Sequence, residues 1–309
     1  MNYLVALTAL GGRDALSLGR MLARTGDVTL TVCIVLPEVW SHPSPARVDA
    51  EYAAFLKQYA EEATAEARKF LGDTVQVEYT STSASSASEG LIATATEKGV
   101  ALIALGSARH GPLGRFTIGG IANEMLHLSL VPVALAPRGY RPSSDAKLRR
   151  VTCAFSGSTQ SRSAFDTAVQ LSRQHAVPVR LTTFVVHDRQ MYPSQVGYDA
   201  ERLVAEQWRA QALEVQEKAV ATLPDDVVVD TSVVSGRDWE EALDSLSWEE
   251  GEVLVVGSSR LGPVARVFLG SNTTKIVRSS PVPVVVIPRG ADVRLQDAAP
   301  SARGFEQEQ

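Results

Sequence analysis

Only two cysteines, Cys33 and Cys153, occur in 309 residues, and both lie in apolar, strand-like runs. That excludes a disulfide framework and a thiolate metal site, and leaves two buried structural thiols. The five histidines are scattered, none with a second histidine or a cysteine at ligand spacing; His42, His110 and His187 fall in loops, where a lone histidine reads as solvated surface. No apolar run approaches the eighteen or so residues needed to span a bilayer. Tyr3 to Leu10 has no Lys or Arg before it and reads as a first strand, not a signal peptide, so a cytoplasmic protein without a membrane partner is expected. Basic charge is not in excess either. A net charge of −5 excludes nucleic acid or an acidic membrane held through bulk electrostatics. The chain also lacks a Gly-Lys-Ser/Thr phosphate loop, a Gly-x-Ser-x-Gly elbow, a His-Glu-x-x-His helix and a Gly-x-Gly-x-x-Gly fingerprint. With no catalytic constellation to name, a non-catalytic protein is expected.

What the chain does contain is one unit written twice. The stretch Gly257 to Gly290 matches Gly106 to Gly139 without a gap, 151 residues earlier, with about fourteen of roughly thirty-four positions identical. The length suits two ordinary domains, and 45% hydrophobic against 21% charged residues is a globular composition. The expected division is 1–140 for the first domain, 141–149 for a linker rich in Pro, Ser and basic residues, 150–290 for the second domain, and 291–309 for a disordered tail.

Within each unit, strand and helix patterns alternate. In the first, strands are expected at Asn2–Thr8, Val28–Leu36, Val75–Tyr79, Ala101–Leu105 and Val131–Ala136. Helices are expected from Asp14, over Val48–Leu71 and over Glu89–Lys98, with a serine-rich loop at Ser81–Ser88. The second repeats the order, with strands at Val151–Phe155, Val179–Val186, Val227–Val234, Val253–Val256 and Val282–Ile287, and helices at Ser161–Gln174, Asp199–Leu223 and Asp238–Trp248. The fold class is therefore α/β: two tandem repeats, each an open parallel five-stranded sheet with helices on both faces. Ligands in such sheets bind outside the carboxyl ends of the strands.

The segment after the fourth strand of the second unit carries the chemistry. Gly257 lets the chain turn, and Gly270 removes a side chain where it re-enters helix, so a ligand can approach both backbones. Ser271, Asn272, Thr273 and Thr274 fill the first helical turn, where free N–H groups and the helix dipole favour an anion. The dipole supplies only about 0.3–1 kcal/mol at an exposed site, so charge must help, and Lys275, Arg260 and Arg266 can supply it. The competing reading is that Ser271 and Thr274 merely cap the helix and that the arginines are solvated surface. The repeat separates the two units: Gly120, Ala122, Asn123 and Glu124 replace Ser271, Thr273, Thr274 and Lys275. A glutamate in a first turn suits the helix and repels phosphate, whereas a lysine there favours phosphate. The second unit is expected to bind, and the first weakly or not at all.

The order of elements and the glycine spacing from Gly257 to Ser271 resemble a tandem universal stress protein over nearly the whole chain. The resemblance implies a Rossmann-like, adenine nucleotide alpha hydrolase-like fold, a stress or signalling role, and ATP, alone or with Mg²⁺, held by Gly-x-x-Gly-(nine residues)-Gly-Ser/Thr. Gly257, Gly270 and Ser271 match that pattern; Arg260 stands at its second glycine, where it either obstructs the loop or grips a phosphate. Arg109 repeats Arg260 and Arg115 repeats Arg266, which points to a structural or interface role for these arginines. The family's aspartate at the end of strand one is replaced by Thr8 and Ser156. By the same resemblance the adenine lies near Val256 and Val186, and Val256 reads equally well as plain core.

Three functions follow: a non-catalytic protein binding ATP in its second unit; an interaction protein without nucleotide, whose valine strands Val131–Ala136 and Val282–Ile287 pair two halves or two chains as a homodimer; and a slow ATPase, which needs a metal ligand and a base that the sequence does not offer near the phosphates.

Overall fold

A computed structural model of the chain describes residues 1–7, 12–38, 48–186, 198–224, 226–258 and 270–288. Its first half runs β1 (Asn2–Leu7), α1 (Arg13–Ala23), β2 (Thr29–Pro37), α2 (Val48–Leu71), β3 (Gln76–Ala84), α3 (Ala87–Glu97), β4 (Leu102–Gly106), α4 (Gly120–Leu128) and β5 (Val133–Ala136). The second runs β6 (Arg150–Ala154), α5 (Thr159–His175), β7 (Val179–Val186), α6 (Tyr198–Val220), β8 (Val229–Gly236), α7 (Trp239–Asp244), β9 (Glu252–Gly257), α8 (Ser271–Ser279) and β10 (Val284–Ile287).

The five strands of each half are parallel, in the orders β3-β2-β1-β4-β5 and β8-β7-β6-β9-β10. The halves join where β5 and β10 pair antiparallel, with Val284 opposite Leu135 and Val286 opposite Val133, giving one ten-stranded sheet. The valine strands thus pair the two halves of one chain. Because that central pair is antiparallel, the carboxyl ends of the two sets of strands lie on opposite edges of the sheet.

Inner strands are buried on both faces, which is why they read as continuous apolar runs. Tyr3, Val5 and Leu7 pack under α1 and α2, and the same layer continues through Val151, Cys153, Phe165 and Leu181. Leu4 and Ala6 point the other way, into a second layer with Met125, Leu254, Val256, Ile276 and Val277 beneath α3, α4 and α8. Both cysteines are buried and free.

Several boundaries differ from the sequence pattern by a few residues, and those of β3, α3 and α7 have a local physical cause. The strand β3 continues through Ser81–Ala84 in what reads as a loop, because it is an edge strand whose ladder with β2 extends to Pro37 opposite Ala84; its alternation of Thr, Ser and Tyr suits a half-exposed edge. The helix α3 then begins at Ala87, capped by Ser86, whose hydroxyl accepts from the Glu89 N–H. The helix α7 stops at Asp244, short of Trp248, because side chains take its last carbonyls: Trp248 Nε1 donates to Leu243 O at 2.8 Å and Ser245 Oγ to Ala242 O at 2.8 Å. The stretch between β5 and β6 is not a solvated tether, since Ala146 and Leu148 are buried. The expected tail, 291–309, lies outside the described residues.

Candidate functional site

At the carboxyl ends of β6, β7 and β9 a cleft of about 530 Å³ opens between α5, α7 and α8. Of the residues singled out in the sequence, Ser156, Val186, Val256, Gly257, Gly270, Ser271, Asn272, Thr273 and Lys275 all line it. Arg260 lies outside the described residues, as do Arg266, Thr8, His42 and His187.

Gly257 is required by packing. A Cβ there would lie 2.5 Å from the carbonyl oxygen of Gln160, so only glycine lets the end of β9 pass the first turn of α5. The helix α8 then starts behind Gly270 with no side-chain capping bond among the described residues, so Ser271 and Thr274 do not act as its caps. Ser271, Asn272 and Lys275 are exposed on its first turn. Thr273 is different: it is buried, and its Oγ1 donates to Gly257 O at 3.0 Å. Its hydroxyl hydrogen is therefore already used inside the protein and is not free to donate to a ligand.

Across the cleft, three serines meet at the start of α5. Ser158 caps the helix, its Oγ accepting from the Ser161 N–H at 3.3 Å. Ser156 Oγ lies 3.1 Å from Ser158 Oγ and 3.4 Å from Ser161 Oγ. Gly157 between them has φ 74°, and a Cβ there would meet Val215 at 2.6 Å, so the turn that presents Ser156 also needs glycine. Among the described residues lining the cleft there is no carboxylate, and Lys275 carries the only charge. An uncapped helix start, exposed hydroxyls and one cation without a competing anion among the described lining residues are features that favour an anionic ligand. Sequence reasoning missed the wall opposite: Thr183, Phe184 and Trp239 also line the cleft.

The first half has a corresponding cleft of about 420 Å³ at Gly106, Ser107, Gly119 and Gly120, with Asp14, Arg109 and Arg138 on its rim. Asp14 is engaged by Arg141 at 2.6 Å. Glu124 does not line it; its carboxylate accepts from Ser88 Oγ of α3 at 2.7 Å. The expected repulsion by Glu124 is therefore turned aside, and the halves differ instead in what the second has and the first lacks: Lys275, Ser271 and Thr273. Arg115 does take an interface role. It reaches Glu240 at 3.3 Å and Asp244 at 3.5 Å in α7 of the other half. Arg109 is exposed at the cleft instead. A further hollow of about 580 Å³ lies between α2 and β3, away from the strand ends where the glycines and the helix start converge.

Comparison with known proteins gives a consistent result. The family model described as the universal stress protein family matches residues 4–137 and again 147–288. A universal stress protein of Mycobacterium tuberculosis (strain ATCC 25618 / H37Rv) is 41% identical over 282 residues, covering 90% of this chain and 96% of the relative. A universal stress protein of Thermus aquaticus is 28% identical over 141 residues, 45% of this chain and 98% of the relative. Among solved structures, a universal stress protein from Archaeoglobus fulgidus superposes with a TM-score of 0.60 at 18% identity, covering 94% of this chain and 97% of that one. The shared architecture is thus that of a tandem pair of such domains.

Proposed function

The chain belongs to the universal stress protein family, and from that premise we propose that it is a non-catalytic stress-response protein whose second half binds an adenine nucleotide, ATP by preference. The observation that carries this reading is the second-half cleft itself: Lys275 beside the uncapped start of α8, with no carboxylate among the described lining residues. Its volume lies within the usual range for small-molecule sites. Phosphates would lie against Ser271, Asn272 and Lys275, and the nucleoside towards Val186, Val256 and Ser156. Mg²⁺ would arrive on the phosphates, since no group of three or more His, Cys, Asp or Glu placed to hold a metal is found among the described residues. Among the described residues the cleft also offers a hydrolytic water no carboxylate base, which favours binding over hydrolysis. Nucleotide binding would then act by stabilising one conformation. Of the pairings open to a pure interaction protein, β5 and β10 make the one between the two halves, and, being paired on both sides within the chain, they offer no free edge to a second chain.

The test is to denature freshly purified protein and identify released small molecules, then titrate ATP, ADP and AMP, with and without magnesium, into the emptied protein and its Lys275→Glu variant. Bound ATP that is lost on charge reversal supports the site. Absence of binding by every nucleotide would leave the fold without this function.

A further inference from the structure

The aromatic wall of the second-half cleft is not used by the phosphate reading. The ring centroids of Phe184 and Trp239 lie 6.0 Å apart, with planes tilted by 44°, inside the range in which aromatic pairs attract. Both side chains are only half-buried, and both border the cleft. Each therefore leaves apolar, π-rich surface to whatever enters.

Trp239 is held there from several sides. It is the first residue of α7, behind Asp238, whose carboxylate accepts from the Glu241 N–H at 2.9 Å. Gly236, at the end of β8, lets the helix fold closely back: a Cβ there would lie 2.4 Å from the Ala242 nitrogen. From the other half, Arg115 spans Glu240 and Asp244 of the same helix. The first half builds the corresponding turn without aromatics. Counting from the caps Ser86 and Asp238, and through the registers Val35–Thr82 and Phe184–Val234, Ala87 stands for Trp239 and Val35 for Phe184.

A cleft with a cation and open N–H groups on one wall and exposed rings on another fits a ligand divided in the same way, an anion joined to a flat heterocycle. We infer that Trp239, with Phe184 beside it, stacks on the base of the bound nucleotide and so makes the cleft select a nucleotide over a bare polyphosphate. This rests on the nucleotide reading above and adds the residue that distinguishes base from phosphate. Stacking needs a π-face and little else, so it tolerates exchange among aromatic side chains but not their loss.

The experiment compares ATP with inorganic triphosphate by calorimetry on the full chain, its Trp239→Leu, Trp239→Phe and Phe184→Leu variants, each first checked for wild-type circular dichroism and melting. The expected result is that Trp239→Leu weakens ATP about fivefold to a hundredfold, the range of one stacking contact, and leaves triphosphate unchanged, while Trp239→Phe stays within about threefold of wild type on the same scale. If Trp239→Leu does not fold, Phe184→Leu must show the same selective loss, at least about fivefold. Equal weakening of both ligands, or no weakening of ATP, overturns the inference and leaves the nucleotide site standing. A wild-type protein that binds triphosphate as tightly as ATP also overturns it. Binding of neither ligand overturns the inference together with the nucleotide reading.

Discussion

Thr273 donates its hydroxyl to the main-chain carbonyl of Gly257 at 3.0 Å, tying the first turn of α8 to the end of β9. These are the two elements that a ligand would touch, and the bond fixes their spacing. The first half has Ala122 at the corresponding position and no such tie. Hydroxyls two residues apart therefore have different work: Ser271 faces the cleft from an exposed position, whereas Thr273 is buried and holds the frame.

Replacement separates these roles. Thr273→Val keeps the shape and removes a buried hydrogen bond, so it is expected to lower stability by about 1 kcal/mol. Ser271→Ala is expected to leave stability within about 0.5 kcal/mol, as at an ordinary surface site, and to weaken ATP about tenfold through a lost bond to a charged group. Urea denaturation and calorimetric titration of both variants check the division. Equal loss of affinity with no loss of stability in Thr273→Val would show its hydroxyl to be a ligand group.

The paired glycines at the ends of β9 and β4 differ in a way that only packing reveals. A Cβ on Gly257 would press on the Gln160 carbonyl at 2.5 Å, whereas on Gly106 its nearest neighbour is the Ala15 nitrogen at 3.6 Å, an ordinary contact. Gly257→Ala should therefore cost about 1–3 kcal/mol, as overpacking does, and displace α5 from the cleft with loss of nucleotide binding. Gly106→Ala should change stability by less than about 1 kcal/mol. Thermal melts of the two single variants provide the comparison.

The contrast marks what the sequence could and could not disclose. The repeat, the succession of strands and helices along each half and the valine strands β5 and β10 were legible because they depend on periodicity and on runs of buried residues. Nine of the ten candidate site residues line one cleft, because the ends of parallel strands and the helix that follows them are brought together by topology alone. Trp239 was not legible as a site residue. Nothing local distinguishes an indole facing a cleft from one facing the core, and its position is set by Asp238, Gly236 and a partner more than a hundred residues earlier, Arg115. Glu124 shows the same limit. Its charge was readable, but its direction is decided by Ser88 in another helix.

A buried charge cluster belongs to the second half and has no counterpart among the described residues of the first. The Glu252 side chain is fully buried between Arg180 and Arg150; Thr152 Oγ1 also donates to it, and Arg180 lies 5.0 Å from the centre of the Trp248 ring. Removing the anion would leave two cations in poor solvent. Glu252→Gln is thus expected to destabilise by about 3 kcal/mol, the lower end for a broken buried pair because water reaches Arg150. The corresponding Ala101 of the first half would tolerate exchange to Ser with a change of about 1 kcal/mol or less. Equilibrium unfolding of the two variants checks the asymmetry; indifference to Glu252→Gln would mean that water follows the arginines inward.

His175 closes the seam between the halves and gives it a dependence on pH. Its Nδ1 lies 2.6 Å from Thr25 O and its Nε2 3.1 Å from the Tyr3 hydroxyl. With the ring neutral and the Nδ1 proton donated to the carbonyl, Nε2 is the acceptor facing the Tyr3 hydroxyl, whose hydrogen it shares with Gln174 Oε1 at 3.4 Å and whose phenol burial keeps protonated. That arrangement needs the neutral ring. Burial depresses the imidazole below its ordinary 6.5, although the bond to Thr25 works the other way. The sign follows: above about pH 6.5 folded and unfolded histidine are both neutral and the seam keeps its full strength. As pH falls further, the unfolded chain takes up a proton before the folded one does, so stability drops until the folded ring also titrates. His175→Gln should flatten this part of the stability-against-pH curve while weakening the seam at every pH. Unfolding midpoints of both proteins between about pH 5 and 8, the range in which histidine titrates, decide the matter. Parallel curves for wild type and variant would place the titrating group elsewhere than between Tyr3 and Thr25.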